Sequence, residues 1–323
     1  MGKHNHHASV GSYYLYNVKE GVVTALNSTA KLGSISMGSG FPIRVMAAIN
    51  LSPESFYRGS VASTPREIST LVRRAVEEGA DIVDIGAMST APYLQNEISE
   101  ETELARIRNA LNAIADISEV TVSVDTVRAS VARVALRAGA SVVNDVSGLK
   151  NDMGMARVVK ECGASLLAMA HSSKASNMEP IAQVRQALSE TLQIAERAEI
   201  DDRLIVLDPG IGFFREEGAG RAYSPQKLMP WYEWDCQVLA DLRKLESLLR
   251  PLCVGLSRKS FLGKILNLES PEARLPASLA ATAIAVMNGA HMIRTHDVKE
   301  TVHAVRIAEA IMKRQGPQAG LVS

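Results

Sequence analysis

Short hydrophobic runs rich in Val, Ile and Ala alternate with longer stretches whose apolar residues recur every three or four positions. The short runs fall at 43–50, 80–86, 120–125, 140–145, 164–170, 204–208, 252–256 and 291–294, and they predict strands. The longer stretches fall at 65–79, 99–117, 127–139, 153–163, 179–198, 225–249, 271–289 and 298–314, and they predict helices. Gly79, Gly139, Gly163 and Gly289 each stand just before a strand, where a left-handed residue ends a helix and turns the chain. Eight strand–helix units predict an α/β fold, a closed (β/α)8 TIM barrel of parallel strands. A doubly wound open sheet is the competing architecture, and it usually carries a Gly-rich phosphate loop after its first strand. Here the first strand ends instead in Asn50, Leu51, Ser52, Pro53 and Glu54.

Residues 8–42 stand outside the repeat. Tyr13, Tyr14 and Tyr16 begin a stretch read as an extra hairpin, with a Gly-rich segment from Gly33 to Gly40 leading into the barrel. We expect this extension to lie as a lid over the N-terminal end of the barrel. The first residues, His4, His6 and His7 among them, resemble an added affinity tag and are set aside. The expected organisation is thus 1–42 as tag-like start and extension, 43–314 as one barrel domain, and 315–323 as a tail.

Composition narrows the class. Of 323 residues, 46% are hydrophobic and 22% charged, as in globular enzymes. Lys plus Arg equals Asp plus Glu at 35 each, so no general basic field points to nucleic acid or to an anionic membrane. Cys162, Cys236 and Cys253 are widely spaced, the pattern of reduced thiols in a cytoplasmic protein. No apolar run reaches transmembrane length. His291 and His303 read as structural or surface residues, Cys253 as a small core residue, and Met153 with Met155 as core filler. The segment from Arg66 to Glu78 reads as a solvated helix face.

Polar residues close all eight predicted strands, at the end of a barrel where ligands bind. They include Asn50, Thr90, Asp125, Asn144, Asp208, Arg294 and His296, with Ser257, Arg258, Lys259 and Ser260 following strand seven. Asp125, Asn144 and Asp208 would serve equally as caps of the following helices. Gathered at one rim, they fit a polar pocket. Asp125, Asn144, Asp208 and Lys259 suit a flat heterocycle rich in donors and acceptors, because a carboxylate accepts two parallel hydrogen bonds from a guanidine-like edge. Arg258, Arg294 and His296 suit an anion such as diphosphate. Asn50 offers an oxygen to Mg²⁺, which is held mainly by oxygen ligands and substrate phosphates.

In chain order, the segments from Asn50 to Phe56, Asp84 to Gly86 with Ser89 and Thr90, Asp125 with Thr126, Asn144 with Asp145, Asp208 to Phe213, Ser257 to Phe261 and Arg294 to Asp297 resemble the ordered motifs of dihydropteroate synthase. The resemblance covers about 43–314. It implies a reaction joining 6-hydroxymethyl-7,8-dihydropterin diphosphate to 4-aminobenzoate, with release of diphosphate and the help of Mg²⁺. It implies that Asp125, Asn144, Asp208 and Lys259 hold the pterin, with Arg294 stacking on it. It implies that Asn50 meets Mg²⁺ and diphosphate, and that Arg294 and His296 hold diphosphate. Thr90, Pro92, Phe213, Lys259 and Ser260 would line the arylamine pocket. A homodimer formed through the later helices is the family's habit.

Three departures from the family's pattern stand out. Its second loop usually reads Gly-Glu-Ser-Thr-Arg-Pro, whereas this chain has Ala87, Met88, Ser89, Thr90, Ala91 and Pro92. Its first loop usually continues Phe-Ser-Asp-Gly-Gly, whereas here Arg58 replaces the acid. The segment after Phe213 is long and polar. Archaeal members share this loop pattern more closely than bacterial ones, which leaves folate and methanopterin synthesis both open and allows a larger arylamine. Arg58 either replaces the missing loop-two arginine at the diphosphate or stands as a solvated loop residue. Two other readings compete: a pterin-dependent methyltransferase acting with a corrinoid protein, and a non-catalytic pterin-binding protein.

Overall fold

The computed structural model describes residues 28–52, 62, 64–88, 98–117, 120–172, 178–214 and 229–314. Strands β1 (Thr29–Leu32) and β2 (Ile35–Gly38) pair as an antiparallel hairpin. The segment expected to be a Gly-rich lead into the barrel therefore contains the hairpin turn and its second strand. Eight parallel strands follow: β3 (Arg44–Asn50), β4 (Ile82–Gly86), β5 (Thr121–Asp125), β6 (Val142–Asp145), β7 (Ser165–Met169), β8 (Ile205–Asp208), β9 (Cys253–Gly255) and β10 (Met292–Thr295). Their order is β8-β7-β6-β5-β4-β3-β10-β9, and a parallel bridge between Leu207 and Leu252 joins the two ends. The expected barrel is closed in this way.

The helices are α1 (Pro65–Glu77), α2 (Glu100–Ile114), α3 (Ala129–Arg137), α4 (Met155–Cys162), α5 (Pro180–Arg197), α6 (Trp231–Ala240), α7 (Ser260–Leu266), α8 (Leu275–Met287) and α9 (Val298–Met312). Two of them differ from the periodicity reading. The helix expected over 225–249 is α6 followed by a 3-10 segment, Leu242–Leu248. Helix α7 was not expected at all. The starts follow local chemistry: at α1, the Thr64 hydroxyl accepts from Glu67 N while Glu67 accepts from Thr64 N. Gly79, Gly139, Gly163 and Gly289 all take positive φ at the helix ends.

Side-chain alternation divides the barrel wall into two apolar layers. Val45, Ala47, Ile49, Val83, Ile85, Val143 and Leu166 pack outward in the main core with the helices. Met46, Ile82, Val142, Leu167, Val206, Cys253 and Met292 form a separate inner cluster with Ala30, Leu32 and Met37 of the hairpin. The hairpin thus stoppers the N-terminal end of the barrel; the rest of the expected lid, residues 8–27, lies outside the described residues. Gly33 N donates to Ser165 Oγ at 3.0 Å, and Ser165 Oγ donates to Lys31 O at 2.9 Å, which fixes the hairpin across the floor. Leu32 and Met37 are fully buried, and truncating either to Ala would cost about 2–5 kcal/mol.

Met155 is buried as expected, but Met153 is 96% exposed, because it precedes α4 and lies on no packed face. Cys253 is buried in the inner cluster. His291 Nδ1 accepts from Leu252 N at 3.2 Å, a structural role, and His303 is exposed.

Candidate active site

Two residues above the inner apolar cluster, the same strand faces turn polar. This follows from the period of a strand: Ile82 leads to Asp84, Val142 to Asn144, Val206 to Asp208, and Met292 to Arg294. Asp125 lies opposite Asn144 in the register of β5 and β6. The inward side chains therefore meet at the C-terminal mouth. Arg294 Nε donates to Asp84 Oδ2 at 2.7 Å, and Arg294 Nη2 donates to Asp125 Oδ2 at 3.3 Å. Asn144 Nδ2 donates to the same Asp84 oxygen at 2.9 Å.

The second oxygens of these two carboxylates lack such donors. Asp84 Oδ1 and Asp125 Oδ1 are both buried and have no hydrogen-bond partner among the described residues. A buried acceptor without a donor is costly, so a ligand bearing N–H groups would complete the site. Burial pushes the Asp125 carboxyl up to about 8, helped by the Asp84 charge and opposed by Arg294. The same two carboxylates hold Arg294 firmly protonated against its burial.

Asp84 is the site residue that the pattern of the chain did not single out. It lies between Val83 and Ile85 in a fully buried strand, and only its motif gave a signal. Neither Asp125, Asn144 nor Asp208 is a helix cap; the cap position of α3 is Arg128. Asp145, beside Asn144, faces the other way. Its carboxylate accepts from Ser147 N, Ser147 Oγ and Leu149 N, and so it shapes the β6 loop.

Asp208, Phe213 and Lys259 form the opposite wall. Asp208 Oδ1 accepts from Gly210 N at 2.7 Å, and burial raises its carboxyl above the usual range while Lys259 and Arg294 oppose the rise. Gly210 and Gly212 have φ of +72° and +88°, which lets the strand end fold back. Gly212 N donates to buried Asp235 Oδ1 at 2.8 Å. Lys259 Nζ donates to Ile211 O and lies 4.8 Å from the centre of the Phe213 ring. Phe214 packs on buried Trp234 with ring centres 4.3 Å apart. Ser260 is the first residue of α7, directly beside Lys259.

The two arginines expected to hold an anion differ in placement. Arg294 stands inside the mouth. Arg258 is buried with φ +56°, and its guanidinium is held by protein. Nε and Nη2 donate to the two Asp297 oxygens at 2.9 and 2.7 Å, and Nη1 donates to the carbonyls of Pro271 and Glu272. This fork geometry makes Arg258 a brace for the β9 and β10 loops. The guanidinium expected to meet diphosphate is thus turned to protein groups.

His296 is half-buried two residues after Arg294, and its Nδ1 lies 3.0 Å from Ser257 Oγ. Burial, with Arg294, Arg258 and Lys259 nearby, pushes the imidazole down to about 3. His296 therefore offers a neutral hydrogen bond and not a charge. Asn50 closes β3, and its carbonyl accepts from Ala62 N at 2.9 Å. Arg58, Thr90, Ala91 and Pro92 lie outside the described residues, as do Tyr13, Tyr14 and Tyr16.

Comparison with known proteins agrees with this geometry. A family model described as "Pterin binding enzyme" matches residues 46–296. Dihydropteroate synthase of Clostridium beijerinckii is 32% identical over 285 residues, which cover 88% of this chain and all of that protein. The Escherichia coli enzyme is 34% identical over 275 residues, which cover 83% of this chain and 91% of that one. Among solved structures, Yersinia pestis dihydropteroate synthase in a sulfonamide drug complex superposes with a TM-score of 0.77 at 30% identity, covering 88% of this chain and 99% of that one. The Xanthomonas albilineans enzyme with 4-aminobenzoic acid gives 0.75 at 31% identity, covering 88% of this chain and 98% of that one. The chain belongs to the family of pterin-binding enzymes whose members include the dihydropteroate synthases.

Proposed function

We propose that the protein is a dihydropteroate synthase-type transferase. It joins the methylene carbon of 6-hydroxymethyl-7,8-dihydropterin diphosphate to the amine of 4-aminobenzoate or a related arylamine. The carbon–oxygen bond breaks and diphosphate leaves with its electron pair. The carbon–nitrogen bond forms, and the amine gives up a proton. The observation that carries this reading is the pair of buried, unpartnered oxygens on Asp84 and Asp125 beside Asn144 and Arg294. A pterin offers a flat edge of N–H donors that such oxygens accept.

Each group then has a task. Asp208 accepts from the guanidine-like edge of the pterin, Asp84 stabilises positive charge spreading through the ring as the bond breaks, and Asp125 hydrogen-bonds the ring beside it. Arg294 lies at the centre of the pocket, where it stacks on the ring and faces the leaving group. His296 donates or accepts as a neutral partner at the diphosphate. Phe213, Lys259 and Ser260 form the described part of the arylamine wall, with Thr90 and Pro92 as its expected remainder. Arg58 is assigned the cationic role that Ala91 does not supply.

The donor set fits a loosely held Mg²⁺. Among the described residues no group of three or more His, Cys, Asp or Glu side chains is placed to hold a metal, so the ion would take most of its oxygens from diphosphate and water, with Asn50 as protein ligand. When bound, Mg²⁺ supplies charge neutralisation at the departing diphosphate.

The product places the enzyme in folate or methanopterin synthesis, and a cytoplasmic setting suits its substrates. No helix among the described residues is long and apolar enough to cross a membrane. A homodimer through α8 and α9 is supported by exposed Ile284, Ile307 and Ile311 on those helices. The test is incubation with pterin diphosphate, Mg²⁺ and 4-aminobenzoate or its ribosyl derivatives. The condensed pteroate by mass spectrometry, with one diphosphate per product, is expected. Pterin binding without turnover, or methyl transfer from a methylated tetrahydropterin to a corrinoid protein, would overturn the reading.

A further inference from the structure

Next to Asp125 in the fold lies a carboxylate that the reaction does not use. Glu103 sits in the first turn of α2 and is fully buried. One of its oxygens accepts from Thr126 Oγ1 at 2.6 Å, and the other accepts from Arg128 Nη1. Thr126 directly follows Asp125, and Arg128 is the N-cap residue of α3. Thr126 Oγ1 also accepts from Arg128 N at 3.2 Å, so the three residues close a compact ring of contacts. On its other face, Thr126 N donates to Asn144 O at 3.1 Å.

The same cluster reaches the chain on both sides of the β4–α2 connection. Arg128 Nη2 donates to Ile98 O at 2.9 Å, and Arg106 Nη1 of α2 donates to Ala87 O at 3.0 Å. Helix α2 therefore grips the ends of β4 and β5 through Arg106 and Glu103, while Arg128 holds Ile98, two residues before α2 begins. A buried charge for this task is expensive unless it is fully hydrogen-bonded, and an apolar side chain of similar volume would fill the space. The hydroxyl and guanidinium contacts instead fix the direction of the chain at Asp125.

We propose that Glu103 is a positioning residue for Asp125, acting through Thr126 and Arg128 to set how that carboxylate meets the pterin. The pterin part of this statement rests on the proposed function; the placement of Asp125 does not. A second consequence is electrostatic. The Glu103 charge makes ionisation of Asp125 harder, together with Asp84 of β4 and Asp145 of β6, and Arg294 of β10 acts against them.

The test compares the wild-type chain with Glu103→Gln, Thr126→Val and Thr126→Ser. Glu103→Gln should raise KM for the pterin diphosphate about tenfold, as expected for losing charged hydrogen bonds, while KM for the arylamine stays unchanged. Carboxyl-carbon NMR of the unliganded Glu103→Gln protein should show Asp125 titrating at lower pH than in the wild type. Thr126→Val should raise KM for the pterin substrate in the same way, and Thr126→Ser, which keeps the hydroxyl, should restore it. A merely structural Glu103 would lower Tm and the active fraction but leave KM and the Asp125 titration in place, and that result overturns the proposal. Should Glu103→Gln fail to fold, an unchanged pterin KM in Thr126→Val overturns it equally. Absence of turnover in the wild type would instead count against the proposed function, and the NMR titration would still decide the role of Glu103.

Discussion

Arg294 of β10 and Asp84 of β4 meet inside the barrel mouth with Nε 2.7 Å from Oδ2, although 210 residues separate them in the chain. The other oxygen, Asp84 Oδ1, is buried without a hydrogen-bond partner among the described residues. Asp84→Asn should keep the fold and weaken pterin or pteroate binding by about tenfold to a hundredfold, the usual effect of losing a charged hydrogen bond. Calorimetry with pteroate checks this. Full affinity in the variant would remove Asp84 from the site.

The turn after β8 offers a cleaner separation of strain from collision. A Cβ on Gly212 would lie 2.8 Å from Lys259 Cδ, while one on Gly40, at a similar positive φ, would meet nothing within 4 Å. Both Gly→Ala variants should lose about 1–2 kcal/mol from the left-handed backbone. Only Gly212→Ala should also lose most turnover, because Lys259 must move. Thermal unfolding with steady-state rates on both variants decides it.

Asp125 predicts a pH dependence of stability. Its carboxyl is raised from an ordinary 3.8 to about 8 by burial and by Asp84, so the folded state binds this proton more tightly than the unfolded chain. Its contribution is therefore fully favourable below about pH 4 and is lost as pH rises through about 8. Asparagine mimics the protonated form at every pH. The Tm of Asp125→Asn relative to wild type should rise steadily between pH 4 and pH 8, and a flat difference would contradict the shift.

Arg258 should behave as a brace. Arg258→Met leaves the Asp297 carboxylate buried without its bidentate partner, at a cost of about 3–5 kcal/mol. The variant should lose Tm heavily, yet its folded fraction should bind diphosphate as the wild type does. A diphosphate-specific loss at unchanged Tm would return Arg258 to the ligand.

The barrel was legible because each strand is a short apolar run, and a glycine that only a helix end would accept often stands before it. Helix α7 was hidden by its brevity: seven residues beginning right after a strand-end motif give too little period to see. Asp125, Asn144 and Asp208 were legible as polar strand ends. Asp84 was not, because its depth in the barrel, set by the stagger between β4 and β5, has no signal in the chain itself. Arg258 and Lys259 are adjacent cations that composition cannot tell apart. The left-handed backbone at Arg258 and the position of Asp297 separate them, and both are products of tertiary structure.

The hairpin stopper has a kinetic consequence. Lys31 and Gly33 are among the earliest described residues to leave the ribosome, yet their hydrogen-bonding partner is Ser165, more than 130 positions later. The hairpin also packs on residues from β8, β9 and β10, so its seat does not exist until nearly the whole barrel has been synthesised. Docking of the first strands is thus one of the last events of folding. A nascent chain would carry Leu32 and Met37 exposed through most of its synthesis, which makes this short segment the natural point of contact for a chaperone.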